Sequence, residues 1–148
     1  MASVEPQPPF FYISMTPASS SAPPDAAPQR VLLLDDDRFM LAMLRDMLED
    51  FGPFDVHAEL DARSALAELP RHAPDLLICD LAMPDMDGIE FLQAAAVQGF
   101  RGRVILVSAL EDGVRNAATE LARAIGLQVA GAFRKPVAAE QLRRAVQC

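Results

Sequence analysis

Short apolar runs alternate with stretches of helical periodicity from residue 31 to the C-terminus. Apolar runs of strand length lie at residues 31–34, 76–79, 104–107 and 128–133, and a further strand is predicted at 55–60. After each of these segments, apolar residues recur every three or four positions, which is the spacing of one helix face. Strands that alternate with helices form a parallel sheet with helices on both faces. The pattern therefore predicts an α/β fold with five strands.

Glycine, proline and aspartate mark where the predicted helices begin and end. Gly52 and Pro53 end the first helix, and Asp61 caps the second. Pro70 and Pro74 are expected to bound the end of that second helix. The residues predicted to face inward from the last three helices are Ile89, Leu92 and Ala96, then Val114, Ala117, Ala118, Leu121, Ala122 and Ile125, then Leu142, Ala145 and Val146.

The first 30 residues differ in composition from the rest of the chain. They contain seven of its twelve prolines, three consecutive serines at 19–21 and no glycine. A segment of this kind buries too little apolar surface to offset the entropy that is lost on ordering. We therefore predict a disordered tail over residues 1–30, followed by a single domain over residues 31–148.

Acidic, hydroxyl and lysine side chains follow four of the predicted strands. They are Asp35 and Asp36 after the first strand, Asp80 after the third, Ser108 after the fourth and Lys135 after the fifth. Because parallel strands point the same way, these residues gather at one edge of the sheet, where open α/β sheets bind ligands. Three carboxylates, a hydroxyl and an ammonium at one edge indicate a site for a divalent cation and a phosphoryl group.

The carboxylates need a counter-charge if they converge. Two unit charges about 5 Å apart repel by roughly 3 kcal/mol at an effective dielectric constant of 20. Mg²⁺ fits, because it takes oxygen ligands and is commonly completed by phosphate oxygens. Asp80 lies at the middle strand end, so it is the candidate nucleophile that would form an aspartyl-phosphate. Lys135 and Ser108 would then contact the phosphoryl oxygens.

Charge and composition argue against several other functions. The formal net charge is −8, from 13 basic and 21 acidic residues, which disfavours a sequence-independent grip on nucleic acid. No stretch approaches the roughly 20 apolar residues of a membrane-spanning helix, and the start lacks the basic region of a secretory signal, so a cytoplasmic protein is expected. Cys79 is expected in the core. His57 and His72 are expected to be isolated from each other and from the acidic strand-end site, as structural or surface residues.

Four segments resemble the receiver domains of two-component response regulators. Residues 31–37, Val-Leu-Leu-Leu-Asp-Asp-Asp, are similar to the first strand and acidic pair of that family, and residues 75–88 to its phosphoacceptor strand and loop. Residues 107–109, Val-Ser-Ala, match its hydroxyl position. Residues 134–136, Arg-Lys-Pro, match a lysine–proline signature whose peptide bond is usually cis in the family. The resemblance covers about residues 30–147.

This resemblance implies the fold, the metal ligands and the partners. The fold would be a flavodoxin-like, doubly wound sheet with strand order 2-1-3-4-5. Mg²⁺ would be held by Asp36 and Asp80, with Asp35 helping and the backbone carbonyl of Ala82 as a further ligand. A histidine kinase or histidine phosphotransfer protein would donate the phosphoryl group to Asp80. The domain would be a switch rather than a metabolic enzyme, because its only reactions are its own phosphorylation and slow dephosphorylation.

By the same resemblance, a downstream protein or a second copy of the chain would bind a surface made of the helix near 112–126, the fifth strand and the last helix.

The long segment before Lys135 is also similar to receivers joined to EAL-type cyclic-di-GMP phosphodiesterases. No such output domain follows in this sequence, so a stand-alone receiver or a descendant of a longer protein is expected.

Several positions depart from the common receiver pattern. Many receivers carry Tyr or Phe three residues before the lysine, where this chain has Ala132. The neighbouring Phe133 would point to the opposite face of the strand, so the loop at Ser108 and the helix after it would have to carry the switch. Ala82 and Leu110 would flank the phosphoryl group. Both are apolar and cannot orient an attacking water, which predicts a long-lived phosphorylated state.

Two other functions stay open. One is a phosphorylation-independent interaction module that keeps the acidic pocket without using it, and the absence of the aromatic residue favours it. The other is an Asp-nucleophile phosphatase of the haloacid dehalogenase type, whose Asp-x-Asp motif is similar to Asp35 and Asp37. In this chain Phe39 stands where that family has threonine.

Overall fold

A computed structural model describes residues 28–147, which form five strands and five helices in strict alternation. The strands are β1 (Gln29–Leu34), β2 (Phe54–Glu59), β3 (Leu76–Cys79), β4 (Arg103–Ser108) and β5 (Gln128–Arg134). The helices are α1 (Arg38–Phe51), α2 (Ala62–His72), α3 (Gly88–Val97), α4 (Asp112–Ala124) and α5 (Ala139–Gln147).

All five strands are parallel, and their order across the sheet is β2-β1-β3-β4-β5. This confirms the flavodoxin-like, doubly wound fold that was predicted. The tail predicted over residues 1–30 lies outside the described residues except for its last three positions. Of these, Gln29 and Arg30 belong to β1.

Side chains of the central strands pack into two apolar cores, one on each face of the sheet. Successive side chains of a strand point to opposite faces, so a strand buried on both sides is apolar at every position. One core contains strand residues Leu32, Leu34, Leu77, Cys79, Val104 and Leu106, which pack with α2, α3 and α4. The other contains Val31, Leu33, Leu76, Ile78, Ile105 and Val107, which pack with α1 and α5. The apolar runs in the sequence are a direct result of this double burial.

Aspartate side chains begin the first three helices. Asp37 precedes α1 and accepts a hydrogen bond from the backbone N–H of Phe39 at 2.9 Å, while Asp61 precedes α2 and accepts from Ser64 at 2.8 Å. Asp87 precedes α3 and forms a capping box with Glu90. Each carboxylate satisfies a backbone donor that has no partner within the helix. These caps set where each helix starts, immediately after the strand-end loops.

The second helix ends between Pro70 and Pro74, as predicted. The helix continues through Pro70 to His72, and it ends at Ala73, whose φ is 48° and whose N–H bonds to the Leu69 carbonyl at 2.9 Å. Proline disfavours a helical conformation in the residue before it. Leu69 is nevertheless buried in the core, and this packing holds the last turn in place.

The predicted inward residues of α3 are confirmed, because Leu92 is buried in the core and Ile89 and Ala96 pack against it; Phe91 and Ala95 are buried as well. The inward face of α4 differs from the predicted one, and Ala117 is exposed. In α4, Val114 is 41% exposed, while the neighbouring Arg115 is buried. Position within the helix, rather than hydrophobicity alone, decided which of these side chains met the sheet.

The two histidines are not isolated, contrary to expectation. His57 lies on β2 and His72 near the end of α2, and their ring centroids are 5.5 Å apart. His57 also contacts Glu59 and lies near Glu68. Residues at 57 and 59 share one face of a strand, and residues at 68 and 72 share one face of a helix. The packing of α2 against β2 therefore brings both pairs together.

Truncation of Phe91 should strongly destabilise the domain. The side chain is fully buried in the core shared by α2, α3 and α4, so we expect Phe91→Ala to lower the free energy of unfolding by about 3–5 kcal/mol. Val97→Ala is the matched control on the same helix, because Val97 is 88% exposed and should change stability by less than about 0.5 kcal/mol. Urea unfolding measures both, and equal effects would contradict the assignment of this core.

Candidate functional site

Three carboxylates meet at the C-terminal edge of the sheet. One oxygen from each of Asp35, Asp36 and Asp80 lies within 4.8 Å of the others. Asp35 and Asp36 directly follow β1, and Asp80 directly follows β3, which is paired with β1 in the sheet. Asp35 and Asp80 are buried, whereas Asp36 is exposed. The cluster is therefore anchored in the protein and open to solvent on one side.

Lys135 supplies the positive charge of this cluster. Its Nζ lies 2.7 Å from Oδ2 of Asp35 and 3.2 Å from Oδ2 of Asp80. Lys135 follows β5, and its backbone N–H donates to the Ser108 carbonyl at 3.0 Å. The peptide bond between Lys135 and Pro136 is cis, as the resemblance implied.

Burial and pairing shift the pKa values of this pair. Burial raises the pKa of Asp35 above its usual value, and the charge of Asp80 adds to this, although hydrogen bonds from Lys135 and the Asp37 backbone oppose it. Burial would lower the pKa of Lys135. The hydrogen bond to Asp35 and the negative charges of Asp80 and Asp35 outweigh that effect and raise it. Lys135 thus remains an ammonium at neutral pH.

The carboxylate of Asp80 is held at both oxygens. Oδ2 faces the Lys135 ammonium, and Oδ1 accepts a hydrogen bond from the backbone N–H of Ala82 at 3.0 Å. The Asp80 backbone N–H donates to the Leu34 carbonyl at 2.9 Å. These contacts fix the carboxylate between the β1 and β5 ends of the edge. An oriented carboxylate of this kind can act as a nucleophile toward phosphorus.

Gly88 allows the start of α3 to approach Asp80 closely. A Cβ atom at position 88 would lie 2.5 Å from the Asp80 carbonyl oxygen and 2.7 Å from Cα of Leu81. Only glycine fits without moving that backbone. The Gly88 N–H also donates to the Leu81 carbonyl at 2.9 Å. This close contact closes the loop that follows Asp80 and explains why glycine ends the motif at residues 75–88.

Ser108 lies at the end of β4 and is fully buried. Its Oγ accepts a hydrogen bond from the backbone N–H of Leu110 at 3.1 Å. Arg115 on α4 donates to the Leu110 carbonyl and pairs with Asp112. The loop between β4 and α4 is therefore tied to the site at one end and to α4 at the other.

The sequence did not predict a role for Arg115, because the apolar residues around it were expected to form the inward face of the helix. An arginine among apolar helix positions was the available signal, because a buried guanidinium needs several acceptors. Here those acceptors come from the loop that follows Ser108. Arg115 is a positioning residue for this loop.

The aromatic residue expected in many receivers is absent at its usual position. Ala132 faces the core of α2, α3 and α4, and the ring of Phe133 packs on the opposite face with the residues of α1 and α5. The predicted division of these two side chains between the faces is confirmed. The ring of Phe133 therefore lies on the face of the sheet that packs with α1 and α5.

Asp37 lies outside the acidic cluster. Its side chain caps α1, whereas the cluster is formed by the two residues before it together with Asp80. The phosphatase alternative assigned Asp35 and Asp37 to one motif at the reacting centre. The helix-capping role of Asp37 does not fit that assignment.

The chemistry of the donor set suits a hard cation and a phosphoryl group. Carboxylate oxygens are the ligands that Mg²⁺ prefers, and Asp35, Asp36 and Asp80 offer one oxygen each within a small volume. Lys135 offers an ammonium and Ser108 a hydroxyl at the same edge.

In the part of the chain that the structure describes, no helix has the length and apolar character needed to cross a membrane.

Comparison with known proteins identifies the family. The family described as "Response regulator receiver domain" matches residues 31–147. The chemotaxis protein CheY of Bacillus subtilis is 38% identical over 82 residues, which are 55% of this chain and 68% of that protein. The cyclic di-GMP phosphodiesterase RocR of Pseudomonas aeruginosa is 32% identical over 114 residues, which cover 76% of this chain but only 29% of RocR.

Solved structures agree with this result. The crystal structure of the chemotaxis protein CheY4 of Vibrio cholerae matches with a TM-score of 0.70 and 28% identity, over 82% of this chain and 98% of that one. The similarity to RocR agrees with the resemblance to receivers joined to cyclic-di-GMP phosphodiesterases, and it extends over the receiver portion of this chain. From residue 31 to residue 147, the chain belongs to the response regulator receiver domain family.

Proposed function

We propose that this receiver domain is a phosphoacceptor switch in which Asp80 receives a phosphoryl group from a phosphohistidine. The observation that carries the proposal is the placement of Asp80. Its carboxylate lies at the central strand end, 3.2 Å from the Lys135 ammonium and close to two further carboxylates. A nucleophile, a cation-binding donor set and a positive charge for the phosphoryl oxygens thus occupy one edge of the sheet.

The transfer follows from the positions of these groups. A carboxylate oxygen of Asp80 attacks phosphorus, the bond between phosphorus and the imidazole nitrogen of the donor breaks, and the donor histidine keeps the electron pair and takes up a proton. Lys135 and Ser108 then contact oxygens of the transferred group. Mg²⁺ would neutralise negative charge on the phosphoryl oxygens, and Asp35, Asp36, Asp80 and the Ala82 carbonyl are its proposed ligands.

Charge balance supports the proposed cation. Three carboxylates face one ammonium in the cluster, so two negative charges remain when all four groups are ionised. A divalent cation balances them, and the arriving phosphoryl group brings its own negative charge toward that cation and Lys135. Exposure of Asp36 gives the cation a route from solvent.

The switch would run through the loop between β4 and α4. In this structure the Ser108 hydroxyl oxygen accepts a hydrogen bond from the Leu110 backbone N–H. A phosphoryl group on Asp80 would offer this hydroxyl a new acceptor. Movement of Ser108 would pull on the Leu110 backbone and, through its carbonyl, on Arg115 and α4. Because Ala132 provides no aromatic ring at β5, this loop carries the coupling. The proposed output surface consists of α4, β5 and α5.

The proposed partners follow from this chemistry. A histidine kinase or a histidine phosphotransfer protein in the cytoplasm would supply the phosphoryl group, and a downstream protein or a second copy of this chain would read the α4–β5–α5 surface. The domain itself would be a signalling module rather than a metabolic enzyme. A phosphorylation-independent interaction module is the second candidate, because Ala132 replaces the aromatic residue used by many receivers.

Phosphorylation should depend on Asp80. We expect wild-type protein to incorporate one labelled phosphoryl group per chain from acetyl phosphate in Mg²⁺, and Asp80→Asn to incorporate at least about 100-fold less, because the nucleophilic oxygen is lost. Asp46→Asn is the control, since Asp46 is an exposed carboxylate on α1, and it should label like wild type.

The same assay separates the alternatives. Absence of labelling in folded wild-type protein, together with no response to beryllofluoride, would overturn the proposal in favour of the interaction module. Continuous hydrolysis of p-nitrophenyl phosphate by wild type but not by Asp80→Asn would instead favour the phosphatase.

The phosphorylated state should be long-lived. The Ala82 and Leu110 side chains are apolar and cannot orient a water toward phosphorus. We expect release of phosphate from purified, labelled protein to take many minutes, and Ala82→Asn to shorten this time because its amide can hold a water. Decay within seconds in the wild type, or the same rate in both proteins, would contradict this prediction.

Metal-free protein should respond to pH through Asp35. Burial raises the pKa of Asp35 in the folded state, so its ionisation costs folding stability. This cost is fully present above the folded-state pKa and disappears as the pH falls to the unfolded value of about 3.8. The stability of Asp35→Asn relative to wild type should thus be greatest near neutral pH and should fall as the pH falls. Urea unfolding in EDTA measures this, and a difference that does not vary with pH would contradict it.

A further inference from the structure

A second cluster of metal-ligating side chains lies between β2 and α2, apart from the acidic site. His57 and Glu59 extend from one face of β2, and Glu68 and His72 extend from one face of α2. One donor atom from each of His57, Glu59 and Glu68 lies within 4.8 Å of the others. Two neighbours on a strand and two residues one helical turn apart can converge on a single ion.

His57 is the centre of this cluster. Its Nε2 lies 2.5 Å from Oε2 of Glu59 and 3.8 Å from Oε1 of Glu68. The other oxygen of Glu68 pairs with Arg71 at 3.2 Å, which leaves Oε1 directed to the histidine. The contact with Glu59 is a short hydrogen bond. Because two ligands of a tetrahedral zinc ion are about 3.3 Å apart, the ion would replace this hydrogen bond, with His57 and Glu59 moving apart and Glu68 moving closer.

His72 lies beside this cluster and lacks hydrogen-bond partners. Neither of its ring nitrogens has a hydrogen-bond partner, although both are buried and the side chain is only 12% exposed. A buried imidazole without a partner forfeits the hydrogen bonds that it makes in water. Its ring centroid lies 5.5 Å from that of His57. Two imidazoles bound to one tetrahedral ion place their centroids about 5 Å apart.

The charges around the histidines favour a cation. Asp55, Glu59 and Glu68 supply three carboxylates to this face, and His72 lies 3.7 Å from an oxygen of Asp55. Arg71 pairs with Glu68 from the solvent side, with 76% of its side chain exposed. His57, Glu59 and Glu68 are each partly accessible, so an ion can reach them from solvent.

We infer that His57, Glu59, Glu68 and His72 form a binding site for a divalent transition-metal ion of the Zn²⁺ type. Imidazole nitrogens select such ions over Mg²⁺, which prefers oxygen ligands. The ion would join the edge strand β2 to α2. His57, Glu59 and Glu68 already place their donor atoms together, and His72 would turn its ring toward them as the fourth ligand. A four-coordinate shell of this kind would hold a structural ion rather than one with an open position for a substrate.

Zinc titration tests this inference on the full-length chain. The chain has only two histidines and two cysteines. Cys79 is buried, and Cys148→Ser removes the other thiol as a competing ligand. We expect one Zn²⁺ per chain in this background, measured by competition with a chromophoric chelator in excess Mg²⁺. His57→Ala and the more conservative Glu68→Gln should each weaken binding at least about tenfold.

Asp36→Asn is the matched control, because it alters the acidic cluster and leaves the β2–α2 cluster intact. It should bind Zn²⁺ like the parent protein. Co²⁺ provides a second readout, since tetrahedral Co²⁺ with nitrogen and oxygen ligands absorbs in the visible range, and this absorption should be lost in His57→Ala. Circular dichroism of the metal-free variants establishes whether they are folded. If His57→Ala does not fold, Glu68→Gln alone tests the site.

Two outcomes would overturn the inference. One is Zn²⁺ affinity that is unchanged in folded His57→Ala or Glu68→Gln. The other is binding that disappears in Asp36→Asn, which would place the ion in the acidic cluster. Phosphorylation of Asp80 is measured separately and does not bear on either outcome, so the zinc site and the phosphoacceptor role can fail independently.

Discussion

The contact of Lys135 with Asp35 and Asp80 is the interaction on which the site depends. Two buried carboxylates side by side would repel by a few kcal/mol, and the ammonium at 2.7 Å and 3.2 Å offsets this repulsion. The residues follow β1, β3 and β5, and β4 lies between the last two, so their convergence requires these four strands to pair. The acidic cluster is therefore a result of the tertiary fold.

The sheet holds these charges rigidly because its central strands are buried on both faces. β1, β3 and β4 are apolar at every position between the helices, and polar residues begin at the point where each strand leaves the core. The two cores fix the strand ends, while Gly88 and the Asp87 cap place α3 against the Asp80 loop. The loop after β4 is tied to α4 through Arg115, and it is the element that would move in the proposed switch.

The strand-end residues could be predicted from the sequence because their signal is local. A parallel sheet requires its strand ends to lie on one edge, so the order of Asp35, Asp36, Asp80, Ser108 and Lys135 was enough to group them. Val114 shows where local rules failed, because the rotation of α4 turned Arg115 inward and left Val114 exposed.

The sequence by itself determined the fold class, the strand order through family resemblance, and the residues that meet in the acidic cluster of the proposed phosphoryl site. These depend on periodicity and on residues next to strand ends, which are readable along the chain. Only the tertiary structure decided that His57 meets His72 and Glu68, because that contact depends on how α2 is rotated on β2. It also decided that Arg115 anchors the Ser108 loop. Side-chain contacts between elements arise from packing angles and depths, which no local pattern in the sequence encodes.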